Sequence, residues 1–512
     1  MWRLTSVTMT AILALGIAGN VMEPQWEPEE YDMPAEFTGI PAVGDPVGVP
    51  SGNVVLDEVA VDVGNETLEG LVYAPAGTSA VDDEIGGTTA GPESLRYPAV
   101  VFLHGAGTKD RTGFAEQATH LARSGVVALV LDRRTDGYST WHRDYEAMAG
   151  DALAGVELLR ARPDVDPERV GLFGESEGSW VAPIAAAKDP DVAFMVLVSA
   201  PIVSPAQQAT YATLMALEDL NAPDPVERAV AKGIGLSMTV PNLLEYATFD
   251  VLPYLERTEQ PILMAFGTED DAVPIVQAAE KVANANNNLT VRYFEGAQHA
   301  IRIGDEFGPF ADGYLDLLPS WIHAAVNGTV DGPDIAGGEP VQTFSANPVP
   351  PPPWFATAYA HVAALVLAVA GYFAGPVTAR LLRSRRGNGA PRVTPALRRR
   401  LRWLRTLGAG SLLSLVVYFW GLSHLALNHE TSTTITYGLW AVVWIITAGA
   451  VTVMLNLWLD DSWRMSELAA EVGDGYATGK LNRLELVAVA GAVTGTVLLL
   501  MIVTYWGVFL GI

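Results

Sequence analysis

The chain has 512 residues, enough for one large or two ordinary domains with membrane spans besides. It carries 58 Asp and Glu against 31 Lys and Arg, a net charge of −27, yet half of it is hydrophobic. The acid is concentrated ahead of Pro353, which argues against nucleic acid as a partner, and the absence of cysteine excludes disulfides, a thiol nucleophile and thiolate metal sites.

Residues 1–19 pair Arg3 with a short apolar run and small residues at signal-peptidase spacing, so a secretory signal peptide is expected, or else an N-terminal anchor. Residues 20–53 are acidic and proline-broken and read as an exposed tail. From 54 to 330 the pattern is α/β. "GLVYAP" reads as a strand, and "YPAVVFLHGAG" as a strand buried on both faces and ending in glycines. "FAEQATHLARSG" reads as a helix with a glycine stop and "VVALVLD" as a strand; "AMAGDALAGVELLRAR" is a helix, "RVGLFG" a strand and "GSWVAPIAAAK" a helix. "FMVLVSA", "PILMAFG" and "LTVRYFEG" follow as strands. This alternation predicts a mostly parallel sheet with helices on both faces. Residues 201–259 lack strand signals and read as a helical insertion, placed where it could cover a site.

Residues 331–353 read as an extended Pro-rich linker. Beyond it, residues 354–512 hold four apolar runs of membrane-crossing length, at about 354–374, 406–427, 435–459 and 486–511, with Trp and Tyr at their ends. The loop from Arg380 to Arg405 holds ten arginines and no acid, so the positive-inside rule makes it cytoplasmic. The start of the first span, and with it the acidic front, then lies outside the cell in a multi-pass arrangement, as a signal peptide also requires. Acidic excess with few lysines suits a salt-rich habitat, where a Debye length of roughly 3 Å at about 1 M screens the repulsion. A high-GC genome gives the same bias.

A G-x-S-x-G is weak in a chain with 49 glycines, but "GLFGESEGSW" joins an apolar strand to a small-residue helix. A nucleophile elbow needs that context: Ser176 on a strained turn, with Gly174 and Gly178 lacking side chains so as not to crowd it. A serine needs a base held by an acid. "TEDDAVP" follows the strand "PILMAFG" and "AQHAI" follows "VRYFEG", so Asp270 or Asp271, and His299, fall at the carboxyl ends of the last strands in the order serine, acid, histidine. The oxyanion donors expected are the backbone N–H groups of Glu177 and, in "FLHGAG", Ala106. His104 reads as structural.

The chain from about Leu68 to Ile322 resembles an α/β-hydrolase of the dienelactone-hydrolase and prolyl-oligopeptidase-like branch. "VVFLHGAGTKDR" is similar to that branch's H-G-x-G-x-x-D-R turn and "LVLDRRTDGYST" to its Y-D-x-R-G-x-G-x-S loop. "GESEGSWVAP" resembles the G-x-S-x-G-G elbow helix, "GAQHAI" matches G-x-x-H, and "GTEDDAVP" is similar to G-x-x-D-x-x-V-P, which selects Asp270 over Asp271. Ser179 departs from a usual glycine, and Asp136-Gly137-Tyr138 from a glycine-rich turn. The resemblance implies a serine hydrolase acting through an acyl-enzyme on carboxylic esters, without metal or organic cofactor. Peptide or amide substrates are the alternative within the class. A hydrolase-like sensory or binding module signalling through the spans is the alternative outside it, ahead of a transporter, for which His361 and His424 are the chief intramembrane ionisable residues.

Overall fold

The computed structural model of the chain describes residues 27–42, 52–76, 96–107, 110–239, 243–304, 308–351, 353–386, 393–427, 431–459 and 483–506, with residues 16, 17 and 21. Nearly all of the expected signal peptide, the loop 79–94 and the segment 460–482 lie outside the described residues. These residues fall into two units, Pro28–Ala212 with Met238–Pro348, and Met1–Glu27 and Thr213–Ser237 with the chain from Val349 onward.

In the first unit the runs read as strands build one sheet. In chain order come β1 (Val54–Asp62), β2 (Thr67–Pro75), β3 (Tyr97–Leu103), helix α1 (Ala115–Arg123), β4 (Val127–Leu131), α2 (Tyr145–Arg160), β5 (Val165–Glu175), α3 (Gly178–Lys188) and β6 (Met195–Val198). After an interval holding α4 (Pro205–Asp219) and α5 (Asp224–Met238) come β7 (Ile262–Gly267), α6 (Ile275–Ala285), β8 (Leu289–Phe294), α7 (Tyr314–Val326) and β9 (Asp334–Gly337). The sheet order is β1-β2-β4-β3-β5-β6-β7-β8-β9. The β1–β2 and β2–β4 pairs are antiparallel and the other six parallel.

All five residues of β4 are buried, as a strand covered on both faces requires. The side chains alternate. Ala99, Val101 and Leu103 of β3 enter one core with α2, α3 and α6, whereas Val100 and Phe102 enter a second core with α1 and α7. Asp144 caps α2, its carboxylate accepting from the Ala147 N–H at 2.9 Å, one of the donors a helix start leaves unpaired.

Two stretches expected outside this domain pack into it. Phe37, in the acidic front segment, is fully buried, and Tyr31 Oη donates to the Glu280 carboxylate at 2.6 Å. Within the expected linker, β9 extends the sheet beside β8, and the Gln342 side-chain oxygen accepts from the Val276 and Gln277 N–H groups. The physical reason is the edge of β8: its unpaired backbone groups gain partners from a following segment. Four residues among glycines and prolines are too short to advertise a strand.

The interval 201–259 is helical as expected, but its middle belongs with the C-terminal helices: Leu217, Leu220, Ala222 and Val226 are buried in one cluster with residues from three of them. Those helices are α8 (Ala358–Arg386), α9 (Pro395–Leu427), α10 (Trp440–Leu459, entered through a π-helical turn at Thr434–Leu439) and α11 (Arg483–Tyr505). All four are long and apolar enough to cross a membrane, with mean hydropathies of 1.9, 1.4, 2.0 and 2.5. α8 and α9 run beyond the expected spans, so most of the arginine stretch continues them as helix. Arg, Leu and Ala are good helix formers, and guanidinium groups need water only beyond the hydrocarbon. α8 and α11 meet through glycines: a Cβ on Gly371 would stand 2.5 Å from the Gly491 carbonyl oxygen, and one on Gly495 2.7 Å from that of Ala368.

Candidate active site

β5 ends at Glu175 and α3 begins at Gly178, so Ser176 and Glu177 form the turn between them. Ser176 has φ 51°, a left-handed conformation that a residue with a Cβ adopts at a cost of about 1–2 kcal/mol. Packing enforces it. A Cβ on Gly174 would lie 2.5 Å from the Gly178 carbonyl oxygen, and one on Gly178 would run into the carbonyl of Leu103. Gly105, in the turn after β3, lies against the serine, because a Cβ there would be 3.3 Å from Ser176 Cβ. Ser179 buries its hydroxyl and donates it to the Gly174 carbonyl at 3.0 Å, so the departure from glycine adds a tie across the elbow.

Asp270 follows β7 and is buried; Asp271 beside it is exposed. His299 follows β8, with Nδ1 3.0 and 3.1 Å from the two Asp270 carboxylate oxygens. The end of β6 links this pair to the elbow: Ser176 N–H donates to the Val198 carbonyl at 2.9 Å, and Ala300 N–H to Ser199 Oγ at 3.0 Å. Gly267 has no room for a side chain beneath the Ala297 and Gln298 carbonyls, so the acid and histidine turns close on each other.

The His299 side chain is 37% exposed, which leaves its other edge accessible. Burial of the rest pulls its pKa down, but the Asp270 charge and hydrogen bond, with Glu175 behind them, leave it above the ordinary histidine value. With Nδ1–H held by a carboxylate, Nε2 is the nitrogen free to accept a proton. Glu175 is itself buried, which pushes its carboxyl up to about 7, while His299 and Arg302 pull the other way. His104 is buried, with Nε2 2.7 Å from the Leu131 carbonyl, and burial lowers its pKa; it braces β3 against β4.

The Glu177 side chain is almost fully buried and turns away from solvent into a cationic and phenolic cluster. It accepts from Tyr138 Oη at 2.5 Å, pairs with Arg143, and has Arg133 Nη1 at 3.9 Å. Arg133 stacks over the Tyr138 ring, its guanidinium carbon 3.9 Å from the centroid. The same Nη1 donates to the Gly105 carbonyl at 3.0 Å and lies 3.2 Å from that of Ala106. Carbonyl and N–H of a trans peptide point in opposite directions, so fixing the Gly105 carbonyl aims the Ala106 N–H away from Arg133. Among the described residues, no group of three or more His, Asp or Glu is placed to hold a metal ion.

The model of the prolyl oligopeptidase family matches residues 112–306, the stretch that holds the Ser176 elbow, the Asp270 turn and His299. The domain has the α/β-hydrolase fold, a mostly parallel sheet with helices on both faces. An uncharacterized protein of Mycobacterium tuberculosis is 36% identical to it over 99 residues, 19% of this chain and 35% of that one. The polyketide transferase ATR5 of Stachybotrys chlorohalonatus is 30% identical over 109 residues, 20% of this chain and 37% of that one. The chain thus spans little more than a third of the length of these curated relatives. Among solved structures, Est1E from Butyrivibrio proteoclasticus aligns at 18% identity over 55% of this chain and 99% of that one, with a TM-score of 0.35.

Ala106, Ser176, Glu177, Asp270 and His299 all lie at the carboxyl edge of the sheet, on the turns after β3, β5, β7 and β8, while Gly174 stands near the end of β5 and Gly178 opens α3. The sequence points to Glu177 for its backbone N–H alone, and its side-chain partners emerge only in the fold. Arg133 and Tyr138 stand in the quoted loop "LVLDRRTDGYST", but nothing in their spacing joins them to a residue after the nucleophile. The "E" of "GES" was the available signal for Glu175, since a carboxylate at the end of a buried strand must be buried with it.

Proposed function

We propose that this protein is a membrane-tethered serine hydrolase facing out of the cytoplasm and acting on carboxylic esters. Ser176 Oγ attacks the ester carbonyl while His299 Nε2 takes its proton, and Asp270 holds the imidazole in the required tautomer and stabilises the imidazolium. The N–H groups of Ala106 and Glu177 receive the tetrahedral oxyanion. His299 then gives the proton to the leaving alkoxide, an acyl-Ser176 remains, and water activated by the same histidine releases the acid. The observation that carries this reading is the buried Asp270 carboxylate 3.0 Å from His299 Nδ1, on the same sheet edge as a serine held at φ 51°. A peptide bond is the second substrate, favoured by the match to the prolyl oligopeptidase family.

Charge supports the outward orientation. Nine of the ten arginines from Arg380 to Arg405 stand at the end of α8 and the start of α9. The residues that bury 213–237, including Leu425, Ile435 and Val503, stand at the far ends of α9, α10 and α11. A segment of the chain between β6 and β7 thus lies at the end opposite the arginines.

A fluorophosphonate probe is expected to label the purified full chain at Ser176 and to leave Ser176→Ala unlabelled. Ester and peptide panels then rank the substrates. Labelling that survives in Ser176→Ala overturns the assignment, and turnover of neither class by the labelled chain favours a sensory module.

A further inference from the structure

We propose that residues 213–237 are a second attachment of the hydrolase to the membrane, seated in the far ends of α9, α10 and α11. The proposal rests on reading those helices as spans and not on the chemistry at Ser176.

Three independent contacts carry it. Leu217, Leu220, Ala222 and Val226 are each buried to under a tenth exposure, in one apolar cluster with Tyr418, Leu422 and their neighbours. Asn221, between α4 and α5, takes φ 49°, which asparagine tolerates better than most residues. Its carbonyl accepts from Tyr437 Oη at 2.8 Å. On α5, Gly233 lies flat against Trp506, where a Cβ would stand 2.5 Å from the indole ring. The segment therefore presents apolar side chains, a backbone acceptor and a bare backbone patch to three different helices. Isolated surface helices do not bury such residues, and α5 read alone is an ordinary amphipathic helix with no reason to lack a partner.

The consequence follows from connectivity. Residues 213–237 lie between β6 and β7, so the chain leaves the hydrolase, enters the helical unit and returns. The segment around Pro350, which looks like the sole tether, is one of two. The spans are then a seat for an insertion of the enzyme as well as an anchor.

Cleavage tests this in native membranes with the full chain, carrying specific protease sites ahead of Pro28 and between Pro350 and Pro353. After both cuts the hydrolase fragment is expected to sediment with the membranes. In the doubly substituted chain Leu220→Asp/Val226→Asp it is expected in the supernatant, with fluorophosphonate labelling intact as the sign of a folded domain. Release of the unsubstituted fragment overturns the proposal, and so does retention of the substituted one. The chain has no cysteine, so Gly233→Cys/Trp506→Cys gives a second measurement that does not depend on the aspartates. A short bis-maleimide is expected to join the two fragments of the cut chain into one band, and separate bands overturn the proposal. Fragments are followed by immunoblot, so a chain that never labels at Ser176 fails the proposed chemistry while the tether is still decided.

Discussion

Arg133 holds the turn that carries one expected oxyanion donor, through 3.0 Å to the Gly105 carbonyl, and is itself held by Tyr138 at 3.0 Å. Loss of that grip misaims the Ala106 N–H without touching a bound substrate. Arg133→Met is expected to lower kcat about 10–100-fold with KM little changed, as small displacements of catalytic groups do. Arg133→Lys should recover part of the loss, because an ammonium keeps one donor but not the planar fork. Steady-state kinetics on the best ester decide it, and a loss confined to KM removes Arg133 from this role. Glu175 acts on pH. Its charge helps to hold the His299 pKa above the ordinary 6.5, so the acid limb of kcat/KM should fall above that value and move to lower pH in Glu175→Gln. The stability sign is fixed by the same shifts. A folded carboxyl at about 7 against an unfolded value of 4.5 means that the fold binds the extra proton between those pH values. Stability is therefore lost as pH rises through that window, and the raised His299 pKa adds a loss in the same direction at its upper end. Glu175→Gln should flatten the fall of Tm between pH 4.5 and 7; an unchanged slope would clear Glu175 of it.

Among the elements, α8 and α11 depend on the absence of side chains at Gly371, Gly375, Gly491 and Gly495, where added Cβ atoms would meet the opposite helix. Helices in a lipid surrounding gain no hydrophobic free energy from pairing, so close backbone approach must supply the attraction. Gly491→Leu is expected to destabilise the helical unit by about 1–3 kcal/mol, the usual range for forced overpacking. Leu486→Ala, at an outward-facing position that is 58% exposed, should leave it nearly unchanged. Thermal unfolding in detergent measures both, and equal effects would show that the glycine contact does not hold the pair together.

The whole molecule divides its charge, acid ahead of the Pro-rich stretch and arginine at the facing ends of α8 and α9. In the proposed orientation the arginine end is cytoplasmic, as the positive-inside rule asks. A reporter active only outside the cytoplasm should be silent when inserted within 387–392 and active when inserted within 428–430. The opposite pattern would put the hydrolase, and its substrate, inside the cell.

How much of this was legible depends on how far apart the partners stand in the chain. Burial on both faces, the glycines of "GESEG" and the four apolar runs are local patterns, legible from the residues alone. The resemblance singled out Asp270, and the tertiary structure adds the reason, because Asp270 is buried against His299 whereas Asp271 is exposed. Composition misled where local polarity hid a distant partner: "DIAG" pairs with β8, Phe37 sits in a core, and Leu217 and Val226 bury themselves among helices some 200 residues on. Those pairings and the Glu177–Arg133–Gly105 linkage appear only once the chain is folded. Periodicity encodes which side of an element is apolar, whereas what covers that side is chosen by packing and by the need of each buried polar group for a partner.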